Sequence, residues 1–159
     1  MLDQTRKAVG CDLTYAWFPK GERVCLPYWE TFEAVKLLGA MTTNGETFFA
    51  SVEDSFNSDV TIAYLRALQE EFGEYLHLVM DNATYFTSNA VHEFIADSKM
   101  TVTHLPVGSP DMNPVEECWR QLKATLGNQL FDSVDDLLPA IWTALEHVSL
   151  PEIDDYLCP

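Results

Sequence analysis

One short run constrains the fold more than any other part of the chain. Tyr75-Leu76-His77-Leu78-Val79-Met80 is nearly continuous in apolar character and stops abruptly at Asp81-Asn82. A strand with one wet face alternates apolar and polar residues, whereas a strand apolar almost throughout suits a parallel sheet covered on both faces. The covering layers must be helices, and the flanking sequence supplies them. Upstream, Ser58 or Asp59 can cap a helix in which Tyr64, Leu65, Leu68 and Phe72 share one face, and Gly73 stands where it would stop. Downstream, Val91, Phe94 and Ile95 predict a second, short helix, and Met100 to Leu105 predicts another strand ended by Pro106.

The remaining segments extend this pattern in both directions. LDQTRKAV, residues 2–9, reads as a short strand, and Trp17 to Trp29 as a turn-rich hairpin around Pro19-Lys20-Gly21. Ala34 to Met41 and Thr47 to Val52 flank Asn44-Gly45, which predicts an antiparallel hairpin with a tight primed turn. Asn113-Pro114 opens a third helix whose buried stripe is Val115, Trp119, Leu122 and Leu126, closed by Gly127. A last helix uses Leu138, Ile141, Leu145 and Val148, and Pro139 forces it to start near Asp135 or to kink. With no repeat, linker or low-complexity segment, the order predicts one domain over residues 1–159: a mixed α/β sheet, antiparallel in one half and parallel in the other.

Composition narrows the function. At 47% hydrophobic residues the 159-residue chain has material for a core, yet 25 Asp and Glu against 9 Lys and Arg leave a net charge of −16. The acids are spread along the chain, which suits a solvated surface in a very salty, halophilic cytoplasm where screening erases self-repulsion. The same charge excludes nucleic-acid binding by bulk attraction, so any contact with DNA must be local. No stretch is long and apolar enough for a bilayer span, and the N-terminus lacks the design of a secretion signal, so a cytoplasmic location is expected. Cys11, Cys25, Cys118 and Cys158 show no zinc-ligand spacing and read as structural thiols.

Asp81 is a candidate site residue by position, because ligands of open α/β sheets collect beyond the carboxyl ends of parallel strands. Asp followed by Asn is equally ordinary loop-starting chemistry. Glu116, three residues after the cap Asn113, can be the acidic member of a capping box. On the same helix Glu116, Arg120 and Lys123 share the face opposite the Trp119 stripe, as a solvated salt bridge or as a phosphate contact beside a metal carboxylate. Asn82 and His104 read as turn and strand residues before they read as catalytic helpers, and His77 still more so. Tyr85 and Phe86 could stack on an unpaired base, but buried aromatics under a loop are commoner.

Three segments carry a family resemblance: DNATYF from Asp81, LPVGSPDMNPVEECWRQLK from Leu105, and LFDSVDDLLPAI from Leu130. Together they strongly resemble the catalytic domain of mariner-like insertion-sequence transposases, the DDE superfamily endonucleases. The resemblance covers essentially the whole chain, and SPDMNPVEECWRQLK is its most specific part. It implies an RNase H-like, mixed five-stranded sheet flanked by helices, with three carboxylates holding two divalent ions, Mg²⁺ or Mn²⁺. By motif position those acids are Asp3, Asp81 and Glu116, with 34 residues between the last two, as in the family. Glu117, Asp111 and Asp12 lie off the pattern. The implied activity is cleavage of transposon-end DNA and its joining to target DNA, the implied partners are terminal inverted repeats, target DNA and a second copy in a synaptic dimer, and Arg120 and Lys123 are the candidate DNA contacts.

The chain also departs from the family. The usual helix-turn-helix module does not precede the catalytic part, and the opening strand is clipped two residues before Asp3. Val107-Gly108 stands where relatives tend to have an aromatic, and Gln4 where they have a second acid. These departures keep a second reading in view: an inactive, truncated transposase fragment that binds or modulates the full-length enzyme. A third, an acidic mimic of nucleic acid, rests only on the charge.

Overall fold

The computed structural model describes residues 1–14, 19–21, 25, 32–153 and 156; most of the expected hairpin between Trp17 and Trp29, and Cys158, lie outside them. The described elements are β1 (Leu2–Ala8), β2 (Ala34–Met41), β3 (Thr47–Val52), α1 (Ser58–Phe72), β4 (His77–Met80), α2 (Asn89–Ala96), β5 (Thr101–His104), α3 (Pro114–Leu126) and α4 (Val134–Leu145), with a 3-10 turn at Pro110–Met112. Among the described residues the five strands form two hydrogen-bonded sheets, β1-β2-β3 and β4-β5. The expected antiparallel and parallel halves are both present, each as its own ladder. The chain falls into two compact units: residues 1–5, 36–117 and 150–159, and residues 6–35 and 118–149.

In the first unit, Met1 and Met41 exchange both backbone hydrogen bonds, at 2.7 and 2.9 Å, as an antiparallel pair does. β2 and β3 pair antiparallel from Lys36↔Val52 to Met41↔Thr47. The turn between them is longer than the two-residue turn expected. Thr42 N–H bonds Glu46 O at 2.9 Å and Gly45 N–H bonds Thr42 O at 3.1 Å, leaving a three-residue loop. Gly45 closes it at φ +81°, a left-handed conformation that glycine adopts without strain. The Thr42 hydroxyl explains the difference: it accepts the N–H groups of Asn44 and Glu46 and so holds the wider loop.

β4 and β5 pair in parallel, from His77↔Thr101 to Met80↔His104, with α2 as the crossover. β4 is shorter than its apolar run: Tyr75 is exposed, and only Leu78 and Met80 are fully buried. Leu2, Leu38, Tyr64, Leu65, Leu68, Met80, Phe86 and Val91 form the heart of this unit's core. The α1 stripe is as expected, except that Phe72 is half-buried. Tyr64 is buried with its hydroxyl donating to Phe48 O at 2.7 Å, which satisfies the phenol, and burial holds its ionisation far above the usual range.

The second unit buries the α3 stripe of Trp119, Leu122 and Leu126 together with Phe131, Leu137 and Ile141. α3 ends as expected at Leu126, but the left-handed residue is Asn128, at φ +59°, not Gly127. Asn128 is clasped by Thr14, whose N–H bonds Asn128 Oδ1 at 3.0 Å while Asn128 Nδ2 bonds its hydroxyl at 2.8 Å. Lys7, 1% exposed, is accommodated by an ion pair with Asp12 at 3.1 Å, a hydrogen bond to Ala8 O and the ring of Phe131. α4 starts at Val134 with Ser133 as cap and runs through Pro139, whose missing N–H falls at an exposed position. Its buried face uses Leu137, Ile141, Ala144 and Leu145, so Leu138 is replaced by Leu137 and Val148 lies beyond the helix.

The cap of α1 is Asn57, whose Oδ1 accepts Val60 N–H at 2.9 Å, rather than Ser58 or Asp59. Asn57→Ala is therefore expected to cost about 1 kcal/mol in urea unfolding followed by circular dichroism. Ser58→Ala should cost far less, and the reverse order would return the cap to Ser58.

Candidate functional site

β4 ends at Met80 and the chain leaves it through Asp81, at the carboxyl end of a parallel strand. The Asp81 Oδ1 accepts Ala83 N–H at 2.9 Å, so the loop-turning role proposed for Asp-Asn is real. It occupies one of the two carboxylate oxygens. Asn82 Nδ2 donates to Leu105 O at 2.6 Å and Leu105 N–H to Met80 O at 2.8 Å, continuing the β4-β5 pairing past both strand ends. His104 Nδ1 bonds Asp81 O at 3.0 Å, and His77 bonds the hydroxyls of Thr101 and Thr103. Each of the three makes hydrogen bonds that hold its turn or strand.

Glu116 occupies the first turn of α3. The capping-box role expected of it is not taken up: the Asn113 N–H it would accept donates to Pro110 O at 2.9 Å instead. The 3-10 turn at Pro110–Met112 brings that carbonyl into place, which the spacing of Asn113 and Glu116 does not reveal. Glu116 is exposed. Asn113 is buried, with Oδ1 accepting Val115 N–H at 3.2 Å and Nδ2 donating to Leu2 O at 3.3 Å. The sequence marked Asn113 as a cap, but its second bond, to a residue 111 positions away, leaves no local signal.

Asp3 is 2% exposed, on β1. Asp3, Asp81 and Glu116, from three separate elements, line one cavity of about 290 Å³ together with Asn82, Asn113 and the Pro106–Pro110 loop. Gly108 in that loop takes φ +75°, a conformation that bars a side chain without strain. The donor set is all oxygen and anionic, which suits a hard divalent cation. The acids share the cavity without forming a ready-made cluster: among the described residues no three His, Cys, Asp or Glu groups stand at metal-ligating separations. Glu117, Asp111 and Asp12 do not line the cavity, and Asp12 pairs with Lys7. Arg120 and Lys123 are exposed further along α3 and belong to the second unit.

Phe86 is buried and Tyr85 half-buried, stacked on Phe56 with ring centroids 5.5 Å apart. Burial, then the charges of Asp81 and Asp3, push the Tyr85 phenol far above its usual value. Cys11 and Cys118 are buried, in keeping with structural thiols, whereas Cys25 is exposed.

The model of the DDE superfamily endonuclease family matches residues 1–138, and the chain belongs to that family. In structure it is similar to the Mos1 transposase paired-end complex with left transposon end, at 18% identity over 96% of this chain and 48% of that one, with a TM-score of 0.73. It is also similar to the mariner Mos1 paired end complex with Mg (19% identity, 98% and 51% coverage, TM-score 0.66). A third match is the catalytic domain of Mos1 mariner transposase (18% identity, 77% and 72% coverage, TM-score 0.58). The fold is therefore RNase H-like, as the motifs implied. The chain spans about half the length of the first two proteins. No curated protein matches it significantly in sequence.

The raised Tyr85 ionisation gives a direct probe of the acid cavity. A phenol held protonated in the folded state gives stability that is present below pH ~10 and lost as pH rises above it, where the unfolded chain deprotonates first. Ultraviolet titration of wild type against Tyr85→Phe should find Tyr85 ionising well above the ordinary tyrosine value. Asp81→Asn should lower its midpoint part of the way, leaving the larger effect of burial, and an unmoved midpoint would separate Tyr85 from the acids.

Proposed function

We propose that this chain is the catalytic domain of a transposase that cleaves transposon-end DNA and joins it to target DNA. In this reading Asp3, Asp81 and Glu116 hold two divalent cations, Mg²⁺ or Mn²⁺. The observation that carries it is the opening of three carboxylates, distant along the chain, onto one cavity in a member of the DDE endonuclease family. The similar Mos1 structures support it, since one holds a transposon end and another is a complex with Mg.

Bound there, two cations would activate a water or 3′-hydroxyl and neutralise the charge on the leaving oxygen. The protein's own part is to present the ligands. Asp81 keeps one oxygen on the Ala83 amide, which fixes its rotamer and aims the other oxygen. Buried Asp3 is held on a strand, a rigid element. The Glu116 side chain is exposed and its carboxylate makes no hydrogen bond among the described residues, so it is the ligand able to swing as a cation arrives. The proline-bounded loop from Pro106 to Pro110 forms a stiff wall for the phosphate to meet.

With a net charge of −16 the chain cannot hold DNA by bulk attraction. Arg120 and Lys123 are the proposed phosphate contacts, and paired-end assembly the proposed reason for a homodimer. Incubation of the chain with a terminal-inverted-repeat duplex and Mg²⁺ or Mn²⁺ should give cleavage at the element end. Asp81→Asn and Glu116→Gln should each lower the rate by more than roughly 100-fold, the upper range for residues that only support a ligand. Activity surviving both changes would remove these acids from the reaction; a wild-type chain that neither cuts DNA nor binds Mn²⁺ would favour the inert, modulating fragment.

A further inference from the structure

Resting on the metal reading above, we infer that Asn113 is a positioning residue that sets the separation between the first and third carboxylates. It does so through a single side-chain amide. Nδ2 donates to the carbonyl of Leu2, the residue bonded to Asp3, at 3.3 Å. Oδ1 accepts Val115 N–H at 3.2 Å, and the Asn113 carbonyl accepts the N–H of Glu116 itself at 3.1 Å. One partner is an acceptor and the other a donor, so the amide has only one orientation that satisfies both.

The choice of residue follows from this double duty. A helix cap needs only an acceptor, which Ser, Thr or Asp supplies as well as Asn. The donor half of Asn113 is what the cap does not require, and it reaches the strand that carries Asp3. At 3% exposure neither half of the amide can exchange its partner for bulk water, so losing the link leaves the Leu2 carbonyl short of a bond. Ligands held by second partners of this kind keep the geometry that a cation with strict demands needs.

Two variants separate capping from positioning. Asn113→Ser keeps a cap acceptor on a side chain too short to reach Leu2. Asn113→Asp keeps the acceptor without the donor, and its added charge would by itself favour a cation. Using the whole chain, Mn²⁺ affinity is read from the electron paramagnetic resonance of free Mn²⁺, folding from thermal circular dichroism, and cleavage in Mg²⁺ and in Mn²⁺, with Asp81→Asn as reference.

Both Asn113 variants should fold, and Asn113→Ser should bind Mn²⁺ roughly 10- to 100-fold more weakly than wild type. They should lose more cleavage in Mg²⁺ than in Mn²⁺, because Mg²⁺ demands near-ideal octahedral geometry. Wild-type affinity in folded Asn113→Ser, or an unchanged Mg²⁺ to Mn²⁺ activity ratio in either folded variant, overturns the positioning role while leaving the metal site standing. If instead wild type binds no Mn²⁺, or Asp81→Asn binds it equally well, the metal reading falls and the positioning role with it.

Discussion

Carboxylates do not gather unaided. Two of them about 4 Å apart repel by ~4 kcal/mol at an effective dielectric of ~20, a large fraction of the stability of an ordinary domain. A cavity that collects Asp3, Asp81 and Glu116 therefore depends on bonds that hold their backbones together whatever the side chains prefer. In this chain those bonds are neutral and mostly backbone. The β4-β5 ladder and its continuation through Asn82 and Leu105 fix the exit of Asp81. Asn113 joins the carbonyl before Asp3 to the first turn of α3. The side chains can then stand apart, sharing a cavity without a ready-made cluster.

The arrangement also divides labour between rigid and mobile carboxylates. Asp3 is buried on a strand and Asp81 is half-committed to its own loop, whereas Glu116 is exposed and released from the capping role its spacing suggests. Cation binding in the proposed site would then need little backbone change, since one side chain supplies most of the adjustment. This keeps the ordering cost of assembling the site small. The rest of the first unit serves the same end: the core around Leu65, Leu68 and Met80 anchors the strand from which Asp81 emerges.

Much of this was legible in the sequence, and what was not has specific causes. The apolar run ending at Asp81, the β2-β3 hairpin and the α3 stripe all follow from local periodicity, and the motif from Ser109 to Lys123 pointed to the family. Asn57 was missed as a cap because Ser58 and Asp59 are equally good cap residues and only the backbone decides among neighbours. The hairpin loop is longer than Asn44-Gly45 implies because a threonine hydroxyl competes for its N–H groups. The spacing of Glu116 suits a capping box, but a 3-10 turn brings in the Pro110 carbonyl, which competes for the Asn113 N–H. The Asn113 to Leu2 bond joins residues 111 positions apart, and no local pattern encodes it.

The central claim is that Asp3, Asp81 and Glu116 together bind a pair of divalent cations. The most direct measurement is anomalous diffraction from crystals of the chain grown with Mn²⁺. Two manganese peaks are expected roughly 3.5–4 Å apart, bounded by oxygens of those three carboxylates. Peaks confined to other acids, or a cavity in which Asp3 and Glu116 cannot reach a common ion pair at saturating Mn²⁺, would contradict it.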